Sequence, residues 1–183
     1  MKFLSVLFLS FVGYINQVSA QASFPLDPET KKITYTEVVT VGSVKKAELL
    51  KRAQNWATTA KYAPSNRPVA GEYTCKGTIN VTYPSIAPGK TDKGTVTFVA
   101  TIYGKDGKYK YVITNFTHQD VLGRGDGGKL ENETPECGKF IMSTTSWNKI
   151  KAQTLTEMEK IVARLKGEIN KKPAPPKKKP SDF

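Results

Sequence analysis

The chain has 183 residues, 28 of them Lys or Arg against 16 Asp or Glu, for a net charge of +12, with one His and two Cys. That length suits a single domain with a sizeable core. One histidine leaves no His pair or His–Cys cluster for a zinc site, and no nucleophile elbow, Walker loop or dinucleotide fingerprint occurs, so neither metal nor cofactor is expected.

Residues 1–20 read as an export signal: Lys2 supplies the positive start, Phe3 to Ile15 are almost all apolar, and Val18-Ser19-Ala20 places small residues for cleavage after Ala20. The apolar run is shorter than the roughly twenty residues a membrane span needs. An exported, periplasmic or secreted protein without a transmembrane segment is therefore expected. Removing Lys2 lowers the net charge from +12 to about +11. Outside the cell interior such a basic surface points to anionic envelope material rather than nucleic acid.

Residues 21–32, with Pro25 and Pro28, form a leading segment ahead of one domain over 33–170. Ile33 to Val41 is β-branched and predicts a strand with Ile33, Tyr35, Val39 and Val41 on one face, interrupted by Glu37. Ser43 is a candidate N-cap for a helix over Val44 to Tyr62, where Ala47, Leu50, Ala53, Trp56, Ala57 and Ala60 recur at helical spacing. Glu72 to Tyr83 alternates cleanly, with Tyr73, Cys75, Ile79, Val81 and Tyr83 on the dry face.

Two further strands, Thr95 to Tyr103 and Tyr109 to Phe116, flank Asp106-Gly107, a pair suited to a type I′ hairpin. A two-residue loop sets Lys105 opposite Lys108; Ile102 opposite Tyr111, Ala100 opposite Ile113 and Phe98 opposite Asn115 then all face the core. Val99, Tyr103, Lys110, Val112 and Phe116 then share the other face. A three-residue loop would shift the register and bury Val112 and Phe116 instead; the two-residue reading is preferred. Thr117 to Gly138 is a polar, glycine-rich loop, Lys139 to Met142 a candidate short strand, and Ser143 or Ser146 a cap for the last helix. That helix carries the stripe Trp147, Ile150, Thr154, Met158, Ile161, Leu165 and Ile169.

Two amphipathic helices and one sheet with a single dry face predict a two-layer α+β domain: an antiparallel sheet of about four strands with both helices on one side, in the order β-α-β-β-β-α. Residues 171–183 are a basic Pro/Lys tail without apolar content, expected to be disordered, in which Lys171, Lys172, Lys177, Lys178 and Lys179 are candidate contacts to an anionic surface.

In an exported chain Cys75 and Cys137 are a candidate disulfide, the alternative being that Cys75 is a buried free thiol. His118, at a strand end without an evident partner, reads as a surface or turn residue. Asp120, Asp126, Glu131, Glu133 and Glu136 lack the alternating spacing of a calcium loop.

The stretch KKITYTEVVTVGSVKKAELLKRAQNWA, with Ile33, Tyr35, Val38 and Val39 on its strand and Leu49 or Leu50, Ala53 and Trp56 on its helix, resembles a bacterial envelope family. So do GKYKYVITNFTH (Gly107 to His118) and the helix beginning near Trp147. The family is domain of unknown function 4468, with a TBP-like fold, and the likeness covers most of residues 24–166. It implies fold and compartment but transfers no catalytic residues, and TBP-like topology does not imply DNA binding. The expected function is a noncatalytic module that binds an envelope protein, glycan or anionic surface through the open sheet face or the tail. The alternative is a hydrolase of envelope polymers using carboxylates of the 117–138 loop.

Overall fold

A computed structural model describes residues 23–171. The expected signal over 1–20 and all of the tail except Lys171 lie outside the described residues. The elements are β1 (Tyr35–Thr40), α1 (Lys46–Thr59), β2 (Ala63–Pro64), β3 (Glu72–Pro84), β4 (Thr91–Lys105), β5 (Lys108–Asp120), β6 (Gly128–Lys129) and α2 (Thr144–Ile169). The antiparallel sheet has the order β1-β5-β4-β3-β2, with β6 on the far part of β5. The two-layer α+β reading holds. The sheet has six strands instead of about four because the two-residue segments β2 and β6 extend it.

Both helices lie on the same side of the sheet and touch one another. Leu49, Ala53, Trp56 and Ala57 of α1 are buried against the sheet's dry face, as is the whole stripe from Trp147 to Ile169 of α2. Across the strands the dry face is built from Cys75, Ile79 and Val81 of β3, Val96, Phe98, Ala100 and Ile102 of β4, and Tyr109, Tyr111 and Ile113 of β5. Gly77 belongs to this face too. A Cβ there would lie 2.1 Å from Cζ of Phe98, so a bare backbone is what lets the tip of that ring lie against β3.

The hairpin between β4 and β5 pairs Lys105 with Lys108, as the two-residue loop requires. It is not type I′, because positive φ falls at Gly107 (78°) and not at Asp106. Freed from that conformation, Asp106 reaches α1: its carboxylate accepts the Lys46 backbone N–H at 2.8 Å and an ion pair from Lys45 at 3.0 Å. The helix accordingly starts at Lys46 with Lys45 as cap residue, and Ser43 is not the cap. A carboxylate delivered by a distant turn satisfies the orphan donor and adds negative charge at the positive helix end. At α2 the expected cap is present: the Ser143 hydroxyl accepts the Ser146 N–H at 3.1 Å.

The hairpin register holds through Ala100↔Ile113 and Val99↔Thr114, then jumps to Thr97↔Thr117. Two steps on β4 therefore match three on β5, which is a bulge. Asn115 takes the extra place in the left-handed region, with φ at 60°. Asparagine tolerates that conformation better than most residues.

Beyond the bulge every side chain of β5 changes face. Phe116, expected on the open face, is fully buried and packs on Phe98, Tyr35 and Phe24 with ring centroids 5.9, 6.0 and 6.5 Å away. The expected pairing of Phe98 with Asn115 is absent for the same reason. His118 follows Phe116 inward and is buried between Tyr83 and Trp147, not at the surface. Lys139 to Met142 form a turn rather than a strand, leaving Phe140 almost fully exposed, and the strand at that edge is β6.

Candidate functional site

The face of the sheet turned away from the helices is covered by no described element. Pairing places its residues in rows across the strands, since directly opposed residues share a face. One row runs Val38, Lys110, Tyr103, Glu72, and the next Thr36, Val112, Thr101, Thr74. A third holds Thr114, Val99 and Lys76, a fourth Lys129, Thr117, Thr97 and Thr78. Lys105 and Lys108 stand at the hairpin end, and Lys93, opposite Thr82, at the other. The lysines Lys76, Lys93, Lys105, Lys108, Lys110 and Lys129 are all exposed. Glu72 is the acid of these rows, so the face is basic.

Of the residues that the sequence placed together, Val99, Tyr103, Lys110 and Val112 do share this face, because the bulge comes after them. Lys110 is the cross-strand partner of Tyr103, and Val112 of Thr101. Tyr103 is 43% exposed and Val38, its neighbour two strands away, 59%. Phe116 is not part of the surface. The sequence reading missed Val38, Lys76, Lys108 and Lys129, whose places depend on how β1, β3 and β6 pair. The usable signal for Val38 was its parity with Thr36 and Thr40, opposite to Tyr35 and Val39. Hydroxyls fill much of the remaining area; Thr74 donates to Thr101 at 3.1 Å, and Thr114 donates to the Ile33 carbonyl at 2.9 Å.

The thiols of Cys75 and Cys137 are both free, which corrects the expected bond. Cys75 faces the core in β3, where burial pushes its thiol up to about 12. Cys137 sits beside Gly125 and Ile141, where burial and the nearby charges of Asp126 and Asp120 push its thiol up, and Asp120 in turn holds the hydroxyl of Tyr83 at the far end of β3. The strand from residue 75 to residue 83 spans about 26 Å at 3.3 Å per residue, well beyond the roughly 7 Å limit between bridged Cα atoms.

The acids of the 117–138 loop brace the backbone. Asp120 accepts the N–H groups of Leu122 and Arg124 at 2.8 and 3.1 Å and the Tyr83 hydroxyl at 2.9 Å. Burial raises the Asp120 pKa, but those donors outweigh it and hold the carboxyl below its usual range. Asp126 accepts the Asp120 N–H, Glu131 the Ile33 N–H and Glu136 the Lys129 N–H, at 2.9, 2.9 and 3.2 Å. His118 Nδ1 accepts the Gly127 N–H at 3.0 Å, which leaves the proton on Nε2, a buried atom without a partner. Burial holds this imidazole below its ordinary pKa. Among the described residues no His, Cys, Asp and Glu cluster could hold a metal ion, and no helix is long and apolar enough to cross a membrane. Lys171, the described part of the tail, pairs with Glu168.

The model of a family described as a domain of unknown function (DUF4468) with TBP-like fold matches residues 35–119. Among solved structures, a DUF4468 family protein from Bacteroides ovatus aligns over 82% of this chain and 94% of its own, at 13% identity and a TM-score of 0.54. A TBP-like protein from Parabacteroides distasonis aligns over 79% of this chain and 97% of its own, at 14% identity and a TM-score of 0.51. At such identity the likeness is one of fold. No curated protein matches the chain.

Proposed function

We propose that this chain, whose residues 35–119 match the model of a domain of unknown function (DUF4468) with TBP-like fold, is an exported, noncatalytic module whose open sheet face holds an anionic glycan of the cell envelope. The observation that carries the reading is chemical segregation. Lys76, Lys108, Lys110 and Lys129 stand on one uncovered face among threonine hydroxyls and the ring of Tyr103. Ammonium groups attract carboxylate or phosphate along a polymer, hydroxyls exchange hydrogen bonds with sugar hydroxyls, and a phenol ring stacks on a pyranose face. Apolar side chains on this face are few, which favours a hydrated polymer over a lipid interior. Export rests on residues 1–20 and the lysines of the tail add attraction of the same sign.

The hydrolase reading draws less support, because four of the loop carboxylates are committed to backbone N–H groups. Binding of the full chain to polygalacturonate, neutral dextran and anionic vesicles tests the proposal. Retention by polygalacturonate alone is expected, weakening with salt and falling roughly tenfold in Lys108→Glu/Lys110→Glu, as steering charges do. Equal retention by dextran, or no change in the variant, removes the open face from the function.

A further inference from the structure

We propose that the outer edge of β3, beside α2, is a docking slot for a short extended peptide of a partner protein, added to the sheet as another strand. The slot uses the backbone edge of β3 and the wall of α2, and does not depend on the lysines of the open face.

In a strand, alternate residues turn both backbone groups to the same side. At one end of β3 the Thr82 N–H donates to Gln153 Oε1 at 3.1 Å while Gln153 Nε2 donates to the Thr82 carbonyl at 2.6 Å. A side-chain amide thus occupies the place of a neighbouring strand. At the other end the Ser65 N–H donates to the Thr74 carbonyl at 2.9 Å, and Ala63 of β2 pairs with Lys76. The even-numbered residues therefore face outward. Between the two covered ends stand Thr78 and Asn80, whose outward N–H and C=O groups meet no hydrogen-bonding partner among the described residues.

Beside them is a cavity of about 450 Å³ lined by Asn80, Lys149, Ala152, Gln153, Thr156 and Glu157. Strand edge and helix wall form its two sides, and Ala152 contributes only a methyl group, leaving room for an incoming side chain.

The geometry decides the occupant. From Gly77 to Val81 the open edge measures about 13 Å, which a stretch of five extended residues matches. A second copy does not fit: with two β3 strands antiparallel, each copy's β2 would stand between the sheets. The chain's own residues 172–183 are unsuited, since Pro173, Pro175, Pro176 and Pro180 have no N–H to donate. A peptide from another protein remains, held chiefly by main-chain hydrogen bonds to Thr78 and Asn80, as strand addition works. Lys149 lies at the Thr82 end without an ion-pair partner among the described residues, whereas Glu157 at the other end is paired with Lys160 at 2.7 Å. A carboxylate on the peptide belongs beside Lys149, and a small side chain over Ala152.

Heptapeptides selected from a displayed random library on the full chain test the slot. Selected peptides are expected to contain an acidic residue and to slow amide exchange at Thr78 and Asn80. Binding is expected to fall at least tenfold in Ala152→Arg, which fills the cavity from an exposed helix position. It should fall equally when alternate peptide nitrogens are methylated. No enrichment over uncoated support, equal binding by Ala152→Arg, or protection elsewhere overturns the proposal. So does a concentration-dependent dimer that protects the same two amides without peptide.

Discussion

Replacing Phe116 by Ala separates the bulged strand from an unbulged one. The ring is fully buried and touches Phe98, Tyr35 and Phe24. Truncating a buried Phe costs about 3–5 kcal/mol, made of lost transfer free energy and the cavity left behind. Three aromatic neighbours put this site toward the upper end, since each such pair adds about 0.5–1.5 kcal/mol beyond area. In a protein of this size each kcal/mol lowers Tm by about 2–4 °C, so a fall of roughly 6–20 °C is expected. Val112→Ala, on the half-exposed open face, is the control and should cost less than about 1 kcal/mol. Thermal unfolding followed by circular dichroism reads both. Equal small shifts in the two variants would mean that Phe116 faces outward and that no bulge exists at Asn115.

Other outcomes follow from single contacts. His118 is buried as the neutral imidazole, with its pKa held below 6.5, so its contribution is complete above that value and is lost as pH falls from 6.5 toward the depressed folded value. Urea midpoints should therefore drop between neutral and mildly acidic pH, and the drop should shrink in His118→Asn; an unchanged slope contradicts the buried neutral ring. Without reductant, denatured protein should expose two titratable thiols, and native protein should label Cys137 while sparing Cys75; a monomer without titratable thiols that migrates faster than its reduced form would contradict the separation of the two sulfurs. Gly77→Ala drives a methyl into the Phe98 ring and should destabilise by about 1–3 kcal/mol, as overpacking does. A neutral effect on the urea midpoint would show that the ring does not lie over β3.

Much of the architecture was readable because it rests on long periodic patterns. The stripe from Trp147 to Ile169 needed no tertiary information, and neither did the alternation from Tyr73 to Tyr83. What escaped was set by contacts between distant segments. Asp106 looked like a turn former, yet it also caps a helix that begins sixty residues earlier. Glu37 looked like a break in the dry face of β1; its carboxylate instead receives Lys166 at 2.9 Å and the Tyr111 hydroxyl at 2.9 Å, which tie the edge strand to α2 and β5. The bulge turned on one residue, Asn115, whose left-handed backbone inverts everything after it. Its trace in the sequence was faint: apolar parity passes from Ile113 to Phe116, with an asparagine at the junction. The open face survived that error only because its central rows lie on the hairpin side of the bulge.

Chemical-shift mapping with an anionic oligosaccharide addresses the function most directly. Oligogalacturonate added to the labelled full chain should move the backbone amides of Lys76, Val99, Tyr103, Lys110 and Val112, while those of the exposed sides of α1 and α2 stay in place and higher salt reverses the changes. Shifts gathered on the helices, or none at all with either oligogalacturonate or its neutral counterpart, would contradict a sheet face built to hold an anionic glycan.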